Sequence, residues 1–340
     1  MSNDFVAAKI RGLNIRMLLV SLFAMGLVFA GLVLGARYLY NMLLGPFPIS
    51  QVDLLARQDA DDTLQYYVTV EGDDHADTGF TYVSKTDSGK ETTEAYYHVL
   101  LVDENFLLIK SKTAEVDNTV TGALVNVPAE TQTEVIDELE KEVPEIKGAF
   151  LPMMLDATDF HTAGYIGLGI GAIIALVAFL GAALAIYRLL TPKAHPVMKA
   201  LANYGTLDTV VSEINMDMAQ SAEKVGKKVH FTRRWLVSTT SSLQAMPYRD
   251  IIWCYKHVTQ HRTNGIPTGK TYAMYVYDRH GKNTIIGGNE KQINQMLDLI
   301  LKNVPGVVAG YSDELNNLWK KDRARFTAAV DQRRQGGKGV

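Results

Sequence analysis

Residues Met17–Ala36 read MLLVSLFAMGLVFAGLVLGA, twenty positions without an Asp, Glu, Lys or Arg. A helix rising about 1.5 Å per residue crosses a hydrocarbon layer of roughly 30 Å in that length. A second such run, Ala163–Tyr187 (AGYIGLGIGAIIALVAFLGAALAIY), holds twenty-five uncharged residues. Burying two such helices in a soluble core would take a larger domain than the rest of the chain supplies. Lys9, Arg11 and Arg16 resemble the basic start of a signal peptide, but the apolar run exceeds the usual h-region and no small-x-small cleavage site precedes Arg37. The expected fold class is a membrane protein of α+β type, with retained transmembrane helices at 17–40 and 163–188.

Charge near the ends of these windows sets the expected orientation, because Lys and Arg resist translocation. Lys9, Arg11 and Arg16 precede the first window, and Arg188, Lys193 and Lys199 close or follow the second. The flanks facing the intervening segment carry Asp53, Asp59, Asp156 and Asp159 against Arg57 alone. Residues 1–16 and 191–340 are therefore expected in the cytoplasm of a plasma (inner) membrane protein, with 45–162 outside. The net charge of −3 for 340 residues conceals a segregation. Gln51–Phe160 has 7 basic and 24 acidic residues, a net −17, whereas Thr191–Val340 has 22 basic and 12 acidic, a net +10. A basic inner domain is drawn to an anionic leaflet by about 1 kcal/mol per well-placed Lys or Arg. The single cysteine, Cys254, rules out an intrachain disulfide and hence a disulfide-built scaffold.

Between the windows, runs rich in Tyr, Val, Phe, Thr and Ile predict five strands, at 64–70, 79–84, 95–102, 105–111 and 119–127, and a helix at 130–142. The Asp-, Gly- and Ser-rich pieces Glu71–Thr78 and Lys85–Lys90 are expected as loops. This inventory suits a small OB-like barrel or a sandwich. After the second window, an amphipathic helix is expected at 206–222, strands at 229–238, 243–246, 251–260, 270–278 and 283–287, a helix at 290–303 opened by an Asn289/Gln292 capping box, and a polar helix at 312–333. The Gly-rich tail, 335–340, is expected to be disordered.

No stretch predicts catalysis. Gly265–Thr271 resembles a phosphate-binding loop, yet Asn264 stands where the pattern needs its first Gly, and a strand rather than a helix follows Lys270. His257 and His261 lie four apart on a strand, without a third ligand or a general-base Glu. The carboxylates Asp59, Asp61, Asp62, Glu71, Asp73, Asp74 and Asp77 lack calcium-loop spacing and are expected as solvated loops. No cofactor, metal or nucleic acid is implied. Candidate contact residues are Lys224, Lys227, Lys228, Arg233 and Arg234, for a membrane surface or a protein partner. Gly31, Gly35, Gly167 and Gly171 form two small-xxx-small pairs for helix packing or homo-oligomerisation.

Three phrases carry a resemblance: His230-Phe-Thr-Arg-Arg-Trp-Leu236, Tyr248-Arg-Asp-Ile-Ile-Trp253 and Tyr277-Asp-Arg-His-Gly281. Over about residues 204–326 the chain resembles an uncharacterised bacterial two-pass membrane protein family with a pleckstrin-homology-like cytoplasmic domain. That likeness implies no catalytic residue. Phosphoinositide binding is not implied either, since Thr239–Gln244, taken as the loop after the first strand, is uncharged. The expected function is thus a non-enzymatic, membrane-anchored interaction or scaffold protein. The alternatives are a hydrolase in the outer domain or an accessory subunit of a transport or envelope complex.

Overall fold

The computed structural model describes residues 4–85, 91–220, 222–264 and 266–336. Positions 86–90 of the expected second loop, Ser221 near the end of the expected 206–222 helix, Gly265 of the phosphate-loop-like segment, 337–340 of the expected tail and 1–3 of the N-terminal segment lie outside the described residues. Two compact units are formed, one from the chain up to Ser21 and from Leu180 onward, the other from Leu22–Phe179. Among the described residues two helices are long and apolar enough to cross a membrane.

The first of these, α1 (Phe5–Leu34), begins twelve residues before the apolar window. Val6, Ile10 and Asn14 explain the extension: spaced by four, they form one buried stripe, while Lys9, Arg11 and Arg16 around it are exposed. Gly35 interrupts the helix, and α2 (Ala36–Leu44) continues until Pro46, which cannot extend it.

In the Leu22–Phe179 unit there follow β1 (Phe47–Ile49), α3 (Gln51–Leu55), β2 (Tyr67–Glu71), β3 (Asp74–Lys85), β4 (Glu91–Val102), β5 (Asn105–Ser111) and β6 (Thr119–Asn126). Then come α4 (Ala129–Thr131), a π-helical turn at Gln132–Ile136, α5 (Asp137–Glu142) and β7 (Phe150–Ala157). All seven strands join one sheet in the order β1-β2-β6-β7-β5-β4-β3, with β1/β2 and β5/β7 parallel. Asp103, at φ 57°, makes the tight β4–β5 turn that Asp103-Glu104 predicts. Alternation divides the core. Leu107, Ile109, Met153 and Leu155 bury one face, while Leu108 and Met154 pack with Val135 and Ile136 of the helical crossover on the other.

Seven strands replace the five expected. β7 is buried on both faces, so Leu151–Leu155 shows no alternation to signal a strand. The Glu71–Thr78 loop is largely strand: Asp74–Asp77 pair with Leu101–His98. As β3 is the sheet's last strand, its carboxylates stand in solvent, where charge guards an unpaired edge.

The second long helix, α6 (Thr162–Leu190), leads into the other unit. There lie α7 (Pro196–Leu201), α8 (Leu207–Ala219), β8 (Glu223–Val225), β9 (Val229–Phe231), β10 (Trp235–Ser238), β11 (Gln244–Pro247), β12 (Ile251–Thr263), β13 (Ile266–Asp278) and β14 (Asn283–Gly288). The chain ends in α9 (Glu290–Asn303), β15 (Val308–Ala309), α10 (Asp313–Lys321) and α11 (Arg323–Gly336). Two four-stranded sheets result, β11-β10-β9-β8 and β14-β13-β12-β15.

The expected strand at 229–238 is two. Thr232–Arg234 fold it back, because buried Asp217 of α8 accepts hydrogen bonds from the Thr232 hydroxyl at 3.1 Å and the Arg234 amide at 3.0 Å. A first strand, β8, precedes both. The expected capping box opens α9, whose Ile293, Met296 and Ile300 pack with residues of both sheets, among them Phe231, Trp235, Cys254 and Met274. Val6 and Ile10 of α1 join this same core. On the outer face of the second sheet, Trp253 and Tyr255 pack with Trp319, Phe326 and Val330 of α10 and α11, between which Asp322 breaks the expected single helix.

Candidate functional site

The most charged exposed element among the five basic candidates is the β8–β9 hairpin. Val225 and Val229 face each other and are buried, so the turn between them must be tight, and Gly226 supplies its positive φ of 61°. Lys227 and Lys228 complete the turn and are exposed. Lys224 pairs across the ladder with His230. The His230 ring rests edge-on against Phe5 of α1, centroids 6.5 Å apart. Burial, then the nearby charges of Lys224 and Lys9, hold its pKa below the ordinary histidine range.

Lys9 therefore belongs to the same basic surface, although it lies more than two hundred residues away in sequence. Asn215 of α8 fixes it there. Its side-chain oxygen accepts from the Val6 amide at 3.1 Å, and its amide donates to Asp4 at 2.9 Å. The sequence signal for Lys9 was the Val6/Ile10/Asn14 stripe, which the charge count alone passes over.

Arg233 is exposed beside this hairpin, whereas Arg234 is engaged. It bonds Asp217 at 2.9 Å and Glu213 at 3.3 Å, which ties the β9–β10 turn to α8 and neutralises its charge. The uncharged Thr239–Leu243 segment joins the third and fourth strands of the unit. The loop between its first two strands is the lysine-bearing Gly226–Lys228 turn.

The glycine candidates divide. Among the described residues a Cβ on Gly31 or Gly167 would meet nothing within 4 Å, and one on Gly35 only the Gly31 carbonyl at 3.1 Å. A Cβ on Gly171 would lie 3.9 Å from Val28 of the other helix. The closest helix contacts use glycines outside both pairs. A Cβ on Gly181 would lie 2.7 Å from the Ser21 hydroxyl, and Gly164 abuts Met42 and Tyr38.

Several other chemistry-bearing groups are engaged structurally. Among the described residues, no group of three or more His, Cys, Asp or Glu side chains is placed to hold a metal ion. Asp59 accepts from Asn126 at 2.8 Å, Asp61 pairs with Arg37 at 3.4 Å, and Asp73 accepts from the Asp103 amide at 2.9 Å. Buried His98 lies 3.6 Å from Asp77, but its other ring nitrogen meets the Thr113 carbonyl at 3.2 Å, so no nucleophile stands there. His257 and His261 are exposed on β12. Cys254 is fully buried, and burial pushes its thiol up to about 12, which leaves no thiolate for chemistry.

Residues 196–319 match a family described as a domain of unknown function (DUF6709). The matched span runs from α7 to α10 and includes both four-stranded sheets. No curated protein and no solved structure matches the chain.

Proposed function

We propose that the chain is a non-enzymatic, two-pass anchor of the plasma (inner) membrane, with both termini cytoplasmic, whose C-terminal domain docks on the anionic inner leaflet and presents itself to a protein partner. The observation that carries this reading is the union of Lys9 on α1 with Lys224, Lys227 and Lys228 on the β8–β9 hairpin. Lys9 lies eight residues before Met17, about 12 Å along the helix from the start of the apolar run. The four lysines thus come within reach of lipid phosphates. Each contributes about 1 kcal/mol near a charged surface, and a few act together at about 3–4 kcal/mol.

The order of elements supports a pleckstrin-homology-like reading of the domain: a four-strand meander, a three-strand meander, then the amphipathic α9. The partners held by Asp59, Asp61 and Asp73 of the other unit support a structural role over hydrolysis.

The test uses the full chain in lipid nanodiscs, because an isolated 191–340 fragment would lose Val6 and Ile10 from its core. Amide hydrogen exchange across 223–231 is expected to slow when phosphatidylglycerol replaces part of a phosphatidylcholine bilayer. The triple variant K224E/K227E/K228E is expected to abolish that difference. Equal exchange in both bilayers would overturn leaflet docking.

A further inference from the structure

The outer face of the second sheet carries a cleft that the leaflet reading does not use. Its floor is the cross-strand pair Tyr255 and Tyr275, stacked with centroids 5.1 Å apart and planes 8° from parallel. Tyr311 forms a wall, tilted 60° to Tyr255 at 5.1 Å. Asn316 and Lys320 of α10 form the rim. The cavity measures about 470 Å³, within the range of small-ligand sites.

Hydrogen bonds set the walls in place. The Tyr311 hydroxyl donates to Asp313 at 3.1 Å and accepts from the Asn316 amide at 3.3 Å. The hydroxyls of Tyr255 and Tyr277 meet at 3.2 Å, and the Trp253 indole donates to the Gly310 carbonyl at 2.8 Å, which holds the chain leading into Tyr311. Such a cleft needs little reordering to accept a flat ring, and rings stack well on aromatic faces.

The charge around it decides the ligand's sign. Among the described residues no carboxylate lines the cleft; of its cations Lys256 is paired with Glu290 at 2.6 Å, which leaves the charge to Lys320, with His257 beside the Tyr275 ring. An ammonium ligand of the kind that aromatic cages hold would be repelled here. We propose that the Tyr255/Tyr275/Tyr311 cleft binds a planar ring bearing an anionic group, with the ring stacked on the tyrosines and the anion against Lys320. Nucleotides and aromatic carboxylic acids share that chemistry.

Trp253, 5.0 Å from Tyr255 and 6.4 Å from Tyr311, serves as a built-in reporter. The full chain in detergent micelles is titrated with guanosine monophosphate, indole-3-carboxylate, guanosine and ribose 5-phosphate while tryptophan emission is followed. At least one of the two ring-bearing anions is expected to give a saturable change, and which one does identifies the source. Guanosine and ribose 5-phosphate are each expected to bind about tenfold or more weakly, the loss of one charge-assisted contact or of one stacking face.

Lys320→Ala is expected to weaken binding about tenfold and Tyr311→Ala at least about fivefold. The Lys320 side chain is exposed, so the unfolding temperature of Lys320→Ala should match the parent's. The proposal is overturned if neither ring-bearing anion binds or if both variants bind as the parent does. It is equally overturned if ribose 5-phosphate or guanosine binds as tightly, or if only a longer oligonucleotide is retained.

Discussion

The side-chain oxygen of Asn41 accepts a hydrogen bond from the backbone amide of Tyr66 at 2.8 Å, twenty-five residues further along the chain. The same oxygen takes the Tyr67 amide at 3.0 Å, and the Asn41 amide donates to the Leu64 carbonyl at 2.7 Å and the Arg37 carbonyl at 2.8 Å. Asn41 is fully buried with every donor and acceptor position in use. Arg37, one turn earlier, donates to the carbonyls of Ala60 at 2.7 Å and Thr63 at 3.0 Å. Together they fasten α2 to the start of β2.

Asn41→Ala strips partners from buried Tyr66, Tyr67 and Leu64 backbone groups. A loss of about 3 kcal/mol is expected, from roughly 1 kcal/mol or more per orphaned group. Thermal unfolding in detergent is the measurement, with Asn41→Asp as a control that keeps the two acceptor bonds but loses both donors.

For the helices, Gly181→Leu and Gly164→Leu are expected to lower stability by about 1–3 kcal/mol, since the added side chains meet Ser21 in one case and Tyr38 and Met42 in the other. A Cβ on Gly31 meets nothing within 4 Å among the described residues, and Gly31→Leu should leave the unfolding temperature unchanged. Circular dichroism melts of the three variants separate these outcomes.

Two histidines set a pH dependence. His195 caps α7, its Nδ1 accepting from the Val197 amide at 3.2 Å, and burial followed by the charge of Arg188 holds its pKa below the ordinary 6.5. His230 is held below 6.5 by burial, Lys224 and Lys9. The unfolded chain takes up protons at these sites near pH 6.5, while the folded chain resists until lower pH. Their stabilisation is therefore complete above about pH 6.5 and is lost as pH falls through the folded values. Melts from pH 7.5 to 5 should show a falling transition, flattened in part by His195→Asn, which keeps a capping oxygen.

Asn289→Ala removes the half of the α9 capping box in which the Asn289 side-chain oxygen accepts from the Gln292 amide, and should cost about 1 kcal/mol, read as a shift in the denaturant midpoint without a change in slope.

The sequence displayed the elements whose periodicity is carried by one buried face. The α9 stripe and its cap, the β4–β5 turn and both apolar windows were legible because each rule acts within a few residues. β7 was hidden by burial on both sides, and β3's first half by a carboxylate-rich edge that composition alone presents as a loop. The division of 229–238 depended on Asp217, which only the fold brings beside Thr232. Lys224, Lys227 and Lys228 were visible as charge, but their partnership with Lys9 required the long-range docking of Val6 and Asn215. The tyrosine cleft was invisible, since Tyr255, Tyr275 and Tyr311 come from three separate elements.

The central claim, that both long helices cross a membrane with Lys227 inside and the β1–β7 sheet outside, is tested by a membrane-impermeant maleimide. Cys254 is buried with its thiol pushed up to about 12, so the parent chain should stay unlabelled and single cysteines can be read against it. Asp62→Cys is expected to label in intact cells, and Lys227→Cys only after permeabilisation. Labelling of both positions in intact cells, or of neither until permeabilisation, would contradict the two-pass arrangement.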